Sequence, residues 1–143
     1  MRYFDTGVLL KLYLPEPRAA EAVALVEASD NVPPITPLHE LEMRSAMRQK
    51  AGRGEITPNE CETLIAEIDA DLSSGVHDRA TVSWTDVFAC AESLSAQHGV
   101  STMCRSLDTL HVALALELGA SEFCTFDHRQ SLMAKAAGLV VFS

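Results

Sequence analysis

Short, solidly apolar runs alternate along this chain with longer stretches whose apolar residues recur at helical spacing. The opening "RYFD" reads as a short strand ending at Asp5, and "VLLKLYLPEP" as a helical turn or two stopped by Pro15 and Pro17. The Ala-rich "RAAEAVALVEA" from Arg18 to Ala28 predicts a helix, and "NVPPITP" a turn leading to a short strand around Ile35. Thr36 and Pro37 are a good N-cap and first helical residue for a helix that ends at Gly52. Thr57 and Pro58 start another that runs to about Ser73. "RATVSW" predicts a short strand, and Thr85 to His98 a further helix. A nearly all-apolar helix from about Leu107 to Leu118 stops at Gly119 and is followed by the strand "EFCTF". A last helix, Arg129 to Ala137, stops at Gly138 before the strand "LVVF". Strands alternating with helices predict an α/β fold with a small, mostly parallel sheet of about four or five strands. No linker divides the chain, so a single domain over residues 1–143 is expected.

Composition narrows the class. The chain has 143 residues, 48% of them hydrophobic, with a mean hydropathy of +0.09, as a globular domain with its own core requires. It shows no repeats, no signal-peptide organisation and no apolar stretch of roughly 18 residues, so the cytoplasm is the expected location and no membrane contact is expected. Cys61, Cys90, Cys104 and Cys124 form no C-x-x-C pair and read as reduced structural thiols. A net charge of −9 argues against a broadly basic nucleic-acid-binding face. It does not forbid a local basic patch, and acids gathered around a cation would contribute to that total.

The placement of the acids carries the chemistry. In an open parallel sheet, sites form at the carboxyl edge of the strands, where Asp5 and Asp127 both end a strand. Asp108 begins the apolar helix. Eleven or so helical residues carry the chain ~16 Å away, and five strand residues return it by a similar distance. Asp108 and Asp127, 19 positions apart, are thereby predicted to be neighbours. Glu40 and Glu42 point about 160° apart on their helix. Glu40 lies with Arg44 and Arg48 on a solvated side, whereas Glu42 shares its side with Leu38, Leu41, Ser45 and Ala46, which selects Glu42 as the fourth acid. Four carboxylates converge only if a cation or shared protons relieve their repulsion. All-oxygen ligands suit Mg²⁺ or Mn²⁺, and with no cofactor motif this combination points to metal-assisted phosphodiester hydrolysis. Taken one at a time, each acid has the plainer reading of a helix cap or a turn residue.

The segments "RYFDTGVLLKLY", "TPLHELEMRSAMRQK", "RSLDTLHVALALELGASEFCTFD" and "AKAAGLVVF", in this order, resemble a PIN-domain ribonuclease, and most closely the toxin of a VapBC-type toxin–antitoxin pair. The resemblance spans essentially the whole chain. It implies an α/β/α sandwich and a Mg²⁺-dependent endoribonuclease. Asp5 and Asp108 match the principal metal ligands, and Glu42 and Asp127 the other acids of the site. Thr125 matches the small hydroxyl residue before the last acid. The family often has Ser or Asn where this chain has Gly7; a polar contact is expected to be lost there, with Thr6 as a candidate replacement. A cognate antitoxin and a homodimer are implied as partners.

The remaining candidates admit two readings each. Arg44, Arg48, Lys50 and Arg53 would serve RNA-backbone contact, or form a solvated helix end. Met43 and Met47 would form a partner surface or core. His111, one turn from Asp108, would orient that acid or pack as a satisfied core residue, and His39 and His128 lie near the same edge. A Ser-His-Asp hydrolase lacks its G-x-S-x-G turn, and an aspartate-nucleophile phosphatase would need a second Asp at Gly7. The competing functions are a PIN nuclease of RNA processing and a catalytically idle module that only binds a partner.

Overall fold

A computed structural model describes residues 1–143. Five short strands and seven helices follow one another as β1 (Arg2–Phe4), α1 (Thr6–Leu10), α2 (Ala19–Glu27), β2 (Pro34–Ile35), α3 (Pro37–Gly52), α4 (Pro58–Ser74), β3 (Asp78–Arg79), α5 (Trp84–Thr102), α6 (Ser106–Glu117), β4 (Glu122–Cys124), α7 (His128–Ala136) and β5 (Val140–Phe142). All pairings are parallel, but the strands form two ladders: β1-β4-β5, and a separate β2-β3. The strand expected in "RATVSW" lies just upstream, at Asp78–Arg79.

Period-two alternation within the strands sorts the core to two sides. Tyr3 and Phe123, paired in register, belong to one apolar cluster with Val87, Leu110, Leu114 and Met133 from α5, α6 and α7. Their neighbours Phe4 and Cys124 belong to the other, with Leu9, Met43, Met47 and Ile68 from α1, α3 and α4. Helices therefore cover both faces of the sheet, the α/β/α sandwich expected. All four cysteines are free thiols.

α6 is buried without interruption from Thr109 to Ala115, which explains why its sequence lacks a polar face. Gly119 ends the excursion at φ +74, a left-handed conformation that costs glycine little, and the Ala120 N–H returns to the Ala115 carbonyl. The chain then enters β4 beside β1. At the amino end, the side-chain amide of Asn31 accepts from the Arg2 N–H (2.7 Å) and donates to the Arg2 carbonyl (3.1 Å), pairing the outer edge of β1 as a neighbouring strand would.

Candidate active site

The parallel register brings β1 and β4 to a common carboxyl edge. Beyond the pair Phe4–Cys124, the Asp5 N–H donates to the Cys124 carbonyl (2.9 Å), so Asp5 and Thr125 leave the sheet side by side. Asp5 caps α1, its Oδ2 accepting from the Gly7 N–H (3.0 Å). Asp127 caps α7 through Oδ1, which accepts from the Gln130 N–H (2.8 Å). Asp108 lies in the first turn of α6, where Arg105 Nε donates to its Oδ2 (2.9 Å). Each aspartate thus sits near the positive end of a helix, which favours its ionised form.

Glu42 approaches from α3. The start of that helix is fastened to β1 by His39, whose Nδ1 accepts from the Thr36 N–H (3.1 Å) and whose Nε2–H donates to the Phe4 carbonyl (3.0 Å). Glu42 Oε1 accepts from the Thr6 hydroxyl (2.8 Å) and from His111 Nε2 (2.5 Å). The facing argument chose the right glutamate but the wrong core face. Leu41 is 64% exposed, and the residues of α3 that enter the core are His39, Met43 and Met47. The two methionines are therefore core and not a partner surface. Glu40 pairs with Arg44 (3.6 Å) and Arg79 (3.1 Å).

His111 is buried and joins the acids from below. Its Nδ1 meets the Tyr3 hydroxyl (2.7 Å), and its Nε2 faces Glu42 and, at 3.8 Å, Asp5 Oδ1. Burial opposes protonation of this ring, but Glu42, Asp5 and Asp108 outweigh it and raise its pKa. Burial raises the Asp5 pKa, with Glu42 adding to the rise, against the lowering by His111, Gln130 and Gly7. Burial also acts to raise Glu42, yet His111 and Thr6 prevail and its pKa is lowered. The local charge balance therefore depends on His111.

A second polar residue links the other acids. Gln130, fully buried, accepts from the Thr125 hydroxyl (2.5 Å) and donates through Nε2 to Asp5 Oδ1 (3.0 Å) and to the Asp108 carbonyl (3.3 Å). The segments of Asp108 and Asp127 do meet, as the length argument required. Sequence reasoning missed Gln130, because a glutamine in "HRQSLMAKA" reads as solvated or as half of a capping box.

Gly7 proves to hold the site closely. Its N–H binds Asp5, and a Cβ there would stand 3.0 Å from Asp5 Oδ2. The hydroxyl expected at that position is supplied by Thr6, one residue earlier, which donates to Glu42. The basic residues of α3 are largely engaged elsewhere: Arg44 with Asp69 (2.5 Å), Lys50 with Glu16 (3.0 Å) and Glu55 (3.2 Å), Arg53 with Glu55 (2.8 Å). Arg48 is exposed beside a concavity along α4. His128 is exposed at the start of α7.

The roomiest concavity, about 540 Å³, lies between Tyr13–Pro15 and the first turns of α4 and is not lined by any of the four acids. Those acids stand on an open edge. No set of three or more histidine, cysteine or acidic side chains is arranged, as it stands, to hold a metal ion. The donor chemistry nevertheless fits a hard cation: carboxylate oxygens from separate elements meet at one edge, and Gly7 leaves Asp5 the space a Cβ would take.

A family model described as the PIN domain matches residues 2–136. The chain belongs to the PIN-domain family. Among solved structures, the crystal structure of FitAcB from Neisseria gonorrhoeae resembles this PIN domain at 18% identity, with a TM-score of 0.72, covering 100% of this chain and 97% of that one. At that identity the likeness concerns the fold. No curated protein matches the chain in sequence. No helix of the PIN domain is long and apolar enough to cross a membrane.

Proposed function

We propose that the chain is a Mg²⁺-dependent endoribonuclease, with Mn²⁺ able to substitute, and the toxin of a VapBC-type pair, acting as a single domain over residues 1–143. One observation carries this reading. In a member of a family whose domains are generally nucleases, the elements bearing Asp5, Glu42, Asp108 and Asp127 converge on one open edge, bridged by His111 and Gln130. Asp5 and Asp108 would hold the cation, and Glu42 and Asp127 would complete the acidic set. The cation would supply Lewis acidity toward the phosphodiester and acidify an attacking water.

The chain's own residues do the rest. Gly7 and Gln130 hold both oxygens of Asp5, Thr6 and His111 hold Glu42, and Thr125 fixes the turn that presents Asp127. An open edge without a deep pocket suits an extended polymer better than a small molecule. The sequence resemblance supports an antitoxin partner, a homodimer and a cytoplasmic setting. It also makes Arg44, Arg48, Lys50 and Arg53 candidates for RNA contact, of which Arg48 carries no ion pair.

The test is cleavage of structured RNA by partner-free protein with Mg²⁺, with EDTA, and after Asp5→Asn or Asp108→Asn. Activity is expected with Mg²⁺ alone. Cleavage that survives chelation and both substitutions would sink the metal reading, and well-folded protein that cuts no RNA would point to a binding module. Expression is expected to be toxic and relieved by a small neighbouring gene's product; harmless expression of active enzyme would place the nuclease in RNA processing.

A further inference from the structure

Gln130 occupies the third position of α7, three residues after the capping Asp127. In the sequence "DHRQ" it has the spacing of a capping box, in which its side chain would reach back to the Asp127 N–H. That slot is already taken. The Asp127 N–H donates instead to Thr125 Oγ1 (3.0 Å), and the Gln130 side chain turns inward. A buried amide is costly unless its polar atoms are paired, and a methionine of similar volume would fill the space without that requirement.

The pairing also fixes the amide's sense. Thr125 donates to Oε1, so Nε2 must face Asp5 Oδ1 and the Asp108 carbonyl. With Gly7 on Oδ2, both oxygens of Asp5 are held, and the remaining lone pairs are left for the open edge. A single nitrogen thus ties the Asp5 carboxylate to the main chain of Asp108. We propose that Gln130 is a positioning residue that sets the orientation of Asp5, and its placement relative to Asp108, for cation binding. This rests on the metal-dependent reading of the site.

The experiment is calorimetric titration of Mn²⁺ into the full chain, with melting in EDTA measured on the same samples. Gln130→Met is expected to weaken Mn²⁺ binding about 10-fold or more, as loss of a ligand's outer partner commonly does. Met133→Ala, a core truncation in the same helix, is expected to lower the melting temperature with Mn²⁺ affinity unchanged. Wild-type affinity in Gln130→Met, alongside loss of binding in Asp5→Asn, would overturn the role of Gln130 alone. Equal weakening by Met133→Ala would also overturn it, by reducing the effect to general loosening. A wild type that binds no Mn²⁺, or an Asp5→Asn protein that binds it equally well, would overturn the metal reading itself. Should Gln130→Met fail to fold, Thr125→Val leaves the glutamine in place with its amide free to turn. It is expected to weaken Mn²⁺ binding in the same direction, and unchanged affinity there would count against the proposal.

Discussion

Gly7 illustrates how one missing atom can matter more than a side chain. An alanine there would place its Cβ 3.0 Å from Asp5 Oδ2 and push the carboxylate off the Gly7 N–H. Helix propensity favours alanine within α1 by about 1 kcal/mol, and disturbing a cap costs about as much. Gly7→Ala is therefore expected to melt within a few degrees of wild type while Mg²⁺-dependent RNA cleavage falls several-fold; unimpaired cleavage would show that Asp5 needs no such room. The sequence marked Gly7 as a departure but pointed to a lost contact, because a backbone N–H donor leaves no trace in residue type. Glu42 was legible from helical angle alone. Gln130 was not, since its partners come from Asp5 and Asp108, 125 and 22 positions away.

At the scale of elements, the α6–β4 excursion was readable because rise per residue fixes how far a helix goes and a strand returns. Helix limits followed from Thr36-Pro37, Thr57-Pro58 and Gly119, where capping chemistry is local. The division of five strands between two ladders was not readable, because two- and three-residue strands carry no periodicity. The joint between β1 and α3 was equally hidden. His39 supplies it, accepting from Thr36 and donating to Phe4 with the same neutral ring. His39→Leu would leave a buried N–H and a buried carbonyl unpaired, at about 1–3 kcal/mol each. Chemical denaturation is expected to show a loss of roughly 2–5 kcal/mol; a loss under 1 kcal/mol would mean the joint is held by packing.

For the whole molecule, three buried histidines make stability depend on pH in opposing senses. Burial, with His111 nearby, holds His39 well below the ordinary imidazole range, and burial lowers His77 against the pull of Asp71. His77 donates through Nε2 to the Tyr13 hydroxyl (2.7 Å), which donates to Asp71 (2.6 Å), while its Nδ1 is buried without a partner. Both rings are neutral in the fold, so the unfolded chain binds more protons as pH falls below about 6.5, and stability is lost there. His111 has the opposite sign: its raised pKa adds stability below that pH, and that contribution fades as pH rises through the folded value. Two against one, stability is expected to fall between about pH 6.5 and pH 5. His77→Gln, which retains a donor for Tyr13, is expected to make that fall shallower in urea titrations; an unchanged slope would remove His77 from the balance.

The Asn31 amide has a consequence for association between copies of the chain. A parallel three-stranded sheet exposes two edges, each a template on which another chain can add a strand. On the β1 side that template is capped by a side chain, because both polar groups of Arg2 are already satisfied by Asn31. A strand arriving from another molecule finds no free register on that side, and ribbon-like polymerisation through β1 is blocked by one asparagine.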